Sequence, residues 1–137
     1  MSCFLVPADT DGLTIAERLE VIAPHPLARL KFDNVRVSSD ALIGEPGQGF
    51  KVAMSVLDIF RSTVGAAALG FARRALQESW VRVRERVLFV AQLSELQMGQ
   101  GPVADMALDV DASALLVYRA AWTKDAGADR VTREAAM

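Results

Sequence analysis

Apolar residues recur in steps of three and four from Phe50 to Val83, and this pattern limits the possible folds more than any other feature. A row with this spacing lies along one side of an α-helix, so the sequence predicts a helix from Phe50 to about Arg86. The segment VGAAALG at its middle is small and apolar on every side, which is typical of a helix buried among other helices. The predicted core-facing row is Phe50, Met54, Leu57, Phe60, Val64, Ala68, Phe71, Ala75 and Val83.

A second long helix is predicted to begin near Leu93 or Pro102 and to end at Gly127. Glycine suits that end because it readily adopts the left-handed conformation of a helix C-terminus. Pro102 costs ~3 kcal/mol inside a helix, unless the helix restarts with the proline in its first turn. Residues 130–137 are predicted to begin a third helix.

The first 41 residues have a different pattern. Leu30 and Phe32 alternate with Arg29 and Lys31, which predicts a strand, and a similar alternation spans residues 35–37. Turn-forming residues interrupt this region, namely Pro7, Gly12, Pro24, Pro26 and the pair Asp33–Asn34. We therefore expect a mostly α fold with a short N-terminal β segment: part of a β-domain over residues 1–41, a hinge over 42–49, and part of a helical domain over 50–137.

The hinge LIGEPGQG has three glycines, as phosphate-binding loops do. It lacks the Lys-Ser/Thr ending of a P-loop, and Glu45 would place a negative charge beside a bound anion. A turn from strand to helix is the favoured interpretation.

Composition excludes several other classes of function. The net charge of -2 offers no basic field for nucleic acid. Arg73, Arg74, Arg82, Arg84 and Arg86 are interpreted as a solvated helix face, with Glu78 expected to pair with Arg82. One cysteine and one histidine cannot build a disulfide or a zinc site. No apolar run reaches the ~20 residues of a membrane helix, so we expect a cytoplasmic protein without membrane or metal.

Three segments resemble the acyl-CoA dehydrogenase family when read in order. The stretch RLKFDNVRVSSDALIGEPGQGFKVAMSVLDIFRSTVGAAALGFARRAL resembles the end of that family's middle β-domain and the start of its C-terminal helical bundle. RVLFVAQLSELQ and ADMALDVDASALLVYRAAWTKDAG resemble the segments that follow. The resemblance covers essentially the whole chain, with Ser38 where proline is usual.

The resemblance implies a flavin enzyme. In the family a carboxylate removes a proton next to an acyl-CoA thioester while FAD accepts a hydride, and an electron-transfer flavoprotein then takes the electrons. It also implies a homo-oligomer, dimeric or tetrameric. Phe60 stands where some branches keep the catalytic glutamate, and most others place it beyond Met137, so no catalytic residue is assigned and the chain alone is expected to be inactive. The alternative is a non-catalytic helical remnant or an oligomerising interaction module.

The resemblance also implies site residues. The substrate-binding candidates are Asp58 and Arg61. The family's Gly-Lys-Pro turn corresponds to Val90-Ala91-Gln92, which predicts strain at Val90 because glycine there can adopt a positive φ. The cofactor-binding candidates are Arg86, Leu88, Phe89, Leu96 and Gln97.

Each candidate also has a structural interpretation. Arg86 suits the end of a helix, where a cation offsets the macrodipole. Phe89 and Leu96 suit a core, and Gln97 suits a surface. Arg61 lies on an otherwise apolar side of its helix and is expected to need either an anion or a structural carboxylate partner.

Overall fold

The computed structural model describes residues 1–23 and 25–137; Pro24, one of the predicted turn residues, lies outside them. The chain divides into two units, Met1–Ala53 and Met54–Met137. The fold is mostly helical with short strands, as the sequence predicts.

The first unit contains two small antiparallel pairs of strands. Strand β1 (Cys3–Phe4) pairs with β4 (Leu42–Ile43), and β2 (Leu13–Leu19) pairs with β3 (Leu27–Phe32). The strand expected around Leu30 and Phe32 is therefore confirmed as β3. Residues 35–37 are not a strand, although their alternation suggested one. Alternation is a weak signal in so short a stretch.

The glycine-rich segment is a turn that leads into the first helix. Gly44 and Gly47 both have positive φ, at 73° and 83°. The backbone N–H of Gly47 donates to Ser2 Oγ at 3.0 Å, and that of Gly49 donates to the Met1 carbonyl at 3.1 Å. These donors are engaged by the chain itself, so the interpretation as a structural turn fits the geometry better than a phosphate cradle.

Three helices follow. Helix α1 spans Gly49–Glu85, helix α2 spans Gln97–Asp125, and the short helix α3 spans Thr132–Ala135. Between α1 and α2 lie the strands β5 (Val87–Leu88) and β6 (Ala91–Gln92), which pair as a tight hairpin, and a 3₁₀ turn (Leu93–Glu95).

Helices α1 and α2 run antiparallel and share a small core. Leu69 of α1 clusters with Val110 and Ala114 of α2, flanked by Leu76 and Val117. Gly65 lies against Val117, and Val83 lines a groove with Gly99. Residue numbers thus rise along one helix as they fall along the other.

The end of α2 has the hydrogen bonds of a Schellman motif. The N–H of Ala128 donates to the carbonyl of Thr123 at 3.3 Å, and that of Gly127 donates to the carbonyl of Lys124 at 3.0 Å. Gly127 has φ 92°, which confirms its predicted role at the helix end.

The side of α1 that faces α2 differs from the predicted one. Of the predicted row only Val83 is buried, whereas Val64 is 67% exposed and Phe71 is 77% exposed. The buried side carries Leu69, Leu76 and Val83, a second apolar row with seven-residue spacing. We call the exposed residues Leu57, Phe60, Val64 and Phe71 the outer stripe. Because α1 has apolar residues on two sides, the sequence could not show which side would be buried against α2.

Much apolar surface is left uncovered. The accessible surface is 10921 Å², whereas a folded monomer of this mass exposes about 7,000 Å². Helix α1 is long and apolar enough, by length and composition, to cross a membrane. The sequence did not indicate such a helix, because charged residues divide α1 into apolar runs that are each much shorter than ~20 residues. A core helix of a helical bundle satisfies the same criteria.

Pro102 lies inside α2, five residues after its first residue, Gln97. The helix therefore does not begin at Pro102, which was one of the two expected starting points; it begins at Gln97, four residues after the other, Leu93. Gly99, three residues before Pro102, is buried, and a Cβ added there would lie 2.3 Å from the Leu93 carbonyl oxygen. The start of α2 is thereby held closely against the preceding 3₁₀ turn.

Candidate functional site

All five cofactor-binding candidates lie in residues 86–97, which we call the connecting segment. Arg86 immediately follows α1, and its carbonyl accepts a hydrogen bond from Leu93 N–H at 2.7 Å. This bond closes the base of the β5–β6 hairpin. A second bond, from Gln92 N–H to Glu95 Oε1 at 3.3 Å, fixes the 3₁₀ turn that leads into α2. The sequence therefore builds a short, internally bonded hairpin between two long helices.

Phe89 is at the tip of this hairpin and is 97% exposed. Because Leu88 pairs with Ala91, Phe89 and Val90 are the two central turn residues. Phe89 has φ 57°, whereas Val90 does not have positive φ. The first central position of a type II′ turn has this property and normally holds glycine. The strain predicted at Val90 is therefore at Phe89, because the pairing register places Phe89 first.

The other cofactor candidates divide by exposure. Arg86 and Gln97 are exposed, whereas Leu88 and Leu96 are half-buried. In the described part of the chain no ion pair includes Arg86. A permanently charged guanidinium and an exposed aromatic ring thus lie on one hairpin, and both are free to contact a separate group. A guanidinium suits a pyrophosphate and an aromatic face suits an adenine, so these residues fit FAD.

Asp58 and Arg61 have different surroundings although they are one turn apart on α1. Asp58 is 6% exposed and is the buried charged residue of the described chain. Thr132 Oγ1 donates to its Oδ2 at 2.8 Å, and Arg130 Nε lies 3.6 Å from the same oxygen. Arg61 is exposed rather than helix-buried, and among the ion pairs of residues 1–23 and 25–137 none includes it.

Two further contacts concern the arginines of α1. Glu78 pairs with Arg74 instead of the expected Arg82, since both are four residues away and the helix permits either partner. Arg73 lies over the Tyr118 ring, with its Cζ 6.0 Å from the ring centroid. This contact joins α1 to α2 beside the small core.

An apolar groove of about 590 Å³ between α1 and α2 was not predicted. None of the seven candidate site residues lines it. Arg73, Gln77 and Trp80 border it on α1, at the three- and four-residue spacing of one helix side. The spacing of these three residues was the only sequence pattern that could have indicated the groove. A helix side that packs directly against another helix has the same spacing, so the groove could not be predicted.

The chain matches the family described as Acyl-CoA dehydrogenase, C-terminal domain, over residues 47–137. It is 42% identical over 139 residues to the mitochondrial short-chain specific acyl-CoA dehydrogenase of Bos taurus, covering 100% of this chain and 34% of that protein.

Two solved structures are also similar. A structure of the electron transferring flavoprotein of Acidaminococcus fermentans contains a chain with 35% identity and a TM-score of 0.88, covering 99% of this chain and 36% of that one. A structure of an FAD-dependent dehydrogenase has 27% identity and a TM-score of 0.92, covering 99% of this chain and 37% of that one. The chain spans about a third of the length of the relatives it matches.

Proposed function

The chain belongs to the acyl-CoA dehydrogenase family, and we propose that it is part of a flavin-dependent enzyme that converts acyl-CoA thioesters into 2-enoyl-CoA products. We infer that residues 1–41 are the end of the middle β-domain, 42–49 the hinge, and 50–137 the first helices of the C-terminal domain. The family match over residues 47–137 supports this division.

The observation that supports the proposal is the connecting segment, which carries an exposed aromatic ring at Phe89 and a cation, Arg86, that forms no ion pair with the described residues. Arg86 holds the FAD pyrophosphate of a neighbouring subunit, and Phe89 contacts the adenine. Leu88, Leu96 and Gln97 complete the contact with the ADP portion. The chemistry that bound FAD supplies is acceptance of a hydride. The residues of this chain bind and orient; none of them is assigned as the base.

Arg61 supplies the charge for the substrate. Coenzyme A carries several phosphate charges, and an exposed guanidinium that pairs with no carboxylate of residues 1–23 and 25–137 suits such an anion. Asp58 contributes at the same turn of α1. Its burial and its two contacts support a role in shaping this part of the site.

The partners follow from the same proposal. An acyl-CoA is the substrate, an electron-transfer flavoprotein accepts the electrons, and the enzyme is a homo-oligomer, either a dimer or a tetramer. The uncovered apolar sides of α1 and α2 support assembly. We place the protein in the cytoplasm; the free thiol of Cys3 is compatible with a reducing compartment.

Binding of FAD to Arg86 tests the proposal directly. Titration of the purified chain with FAD, followed by flavin fluorescence, is compared between wild type and Arg86→Gln. Loss of charge-assisted hydrogen bonds worth about 1.5–3 kcal/mol should weaken binding roughly ten- to hundredfold. Arg84→Gln is the matched control, because Arg84 is an exposed arginine two residues earlier. Equal effects of the two substitutions would contradict the assignment.

The second candidate function is a non-catalytic helical module that assembles through the outer stripe of α1. The exposed apolar residues of that stripe favour it. Flavin loading separates the two candidates: the enzyme fragment binds FAD through Arg86, whereas the module forms oligomers in a mass measurement without binding flavin.

A further inference from the structure

Asp58 is a buried carboxylate whose partners both come from the segment that begins α3. A buried charge is costly unless it is paired and hydrogen-bonded. Thr132 gives it a hydrogen bond at 2.8 Å and Arg130 gives it a cation at 3.6 Å. Both contacts reach the same oxygen, Oδ2, from residues more than seventy positions away in sequence.

Arg61 is a second cation near Asp58 in sequence, three residues later on α1. Residues three apart on a helix are neighbours on its surface, and an acid and a base at this spacing ordinarily attract each other. In the structure Asp58 is bonded to Thr132 and Arg130 instead, and the ion pairs of the described residues leave Arg61 out. Arg130, from the segment before α3, thus pairs with the carboxylate to which Arg61, three residues along α1, would otherwise be attracted.

We propose that Thr132 and Arg130 are positioning residues that hold the Asp58 carboxylate away from Arg61 and so keep the Arg61 charge available to the anionic part of the substrate. This inference rests on the proposed function, in which Arg61 faces the phosphates of coenzyme A. It assigns Asp58 an indirect role. Arg130 and Thr132 hold the Asp58 carboxylate, and Arg61 contacts the anionic part of the substrate.

The test uses the double variant Arg130→Gln/Thr132→Val, which removes both partners of Asp58. The matched control is Arg130→Lys/Thr132→Ser, which keeps a cation and a hydroxyl at the same positions. Side-chain NMR of ¹⁵N-arginine, with Arg61 assigned from Arg61→Gln, reports on the Arg61 Nε–H group. In the double variant this signal should shift and its hydrogen exchange should slow, because Asp58 now pairs with Arg61. The control should keep the wild-type signal.

Coenzyme A binding is the second measurement. Because an exposed ion pair is of modest strength, Arg130→Gln/Thr132→Val should weaken coenzyme A binding about two- to fivefold, and the control should bind as wild type. Adding Asp58→Asn to the double variant should restore both the Arg61 signal and the affinity, since no carboxylate remains to capture Arg61. A purely structural role of Thr132 would not produce this restoration.

The two measurements separate failure of this inference from failure of the proposed function. An unchanged Arg61 signal in the double variant overturns the inference, as does a loss of affinity that persists with Asp58→Asn. If wild type does not bind coenzyme A, the proposed function fails, and the NMR comparison alone decides the inference. If the double variant is unfolded by circular dichroism, Thr132→Val alone is measured against Thr132→Ser with the same two outcomes.

Discussion

Replacing Phe89 by glycine should stabilise the protein and weaken its binding of FAD. Phe89 has φ 57°, and a residue with a Cβ in the left-handed region costs roughly 1–2 kcal/mol. Glycine removes that cost but loses about 0.5–1 kcal/mol through its greater freedom in the unfolded chain. The ring is 97% exposed, so its removal exposes little new apolar surface.

The net gain in the free energy of unfolding is therefore about 0.5–1 kcal/mol, which corresponds to a rise in Tm of about 1–4 °C for a chain of this size. Stacking of a base on an aromatic ring contributes about 1–3 kcal/mol. Loss of the ring should raise the Kd for FAD roughly five- to hundredfold.

Thermal unfolding by circular dichroism and titration with FAD measure the two effects separately. Phe89→Ala keeps the strained backbone but lacks the ring, so its affinity should fall without a rise in Tm. Val90→Gly is the positional control: it relieves no strain and keeps the ring, so Tm should fall while FAD affinity remains unchanged. The strain argument is refuted if Phe89→Gly is no more stable than Phe89→Ala. The adenine contact is refuted if both Phe89 variants bind FAD as wild type does.

Three other predictions concern the free energy of unfolding, measured with urea. Gly99→Ala should lose about 1–3 kcal/mol because its Cβ would meet the Leu93 carbonyl oxygen, whereas Gly101→Ala, which meets nothing within 4 Å, should gain about 0.5–1 kcal/mol; equal effects would contradict the close approach. Gly127→Ala should lose about 1–2 kcal/mol because φ there is 92°, and an unchanged midpoint would argue against the Schellman end. Val64→Asp should change the free energy of unfolding by less than about 0.5 kcal/mol, because substitutions at exposed sites usually have small effects. Leu69→Asp should prevent folding, because Leu69 is only 5% exposed. The reverse result would mean that the outer stripe is the buried side of α1.

The helices could be predicted from sequence because their signals are local. A row of apolar residues at steps of three and four gave α1 nearly to the residue, and a glycine with positive φ ended α2 where expected. The side of α1 that is buried could not be predicted, because Leu69, Leu76 and Val83 form a row as regular as the one containing Val64 and Phe71. Choosing between them requires knowledge of the partner helix.

The roles of the candidate site residues stay predictions, and the structure describes only their positions and surroundings. Arg86 and Phe89 are only three residues apart, so the sequence alone places both in the segment between α1 and α2, where the structure also has them. The backbone strain depends on which residues pair across the hairpin, and the Leu88–Ala91 register moves it from Val90 to Phe89. The partners of Asp58 lie on α3, far away in the chain, and no local pattern indicates them.

The outer stripe is an apolar surface that the described chain leaves exposed. Fully burying a large apolar side chain contributes about 1.5–3 kcal/mol, and Leu57, Phe60, Val64 and Phe71 are already partly buried, so covering all four would contribute less than about 12 kcal/mol. A whole domain is stable by only about 5–15 kcal/mol. The chain itself buries the opposite side of α1 and spans about a third of its relatives' length. Helix α1 thus has one apolar side that packs against α2 and another that the described chain leaves exposed, which is why apolar residues surround its middle.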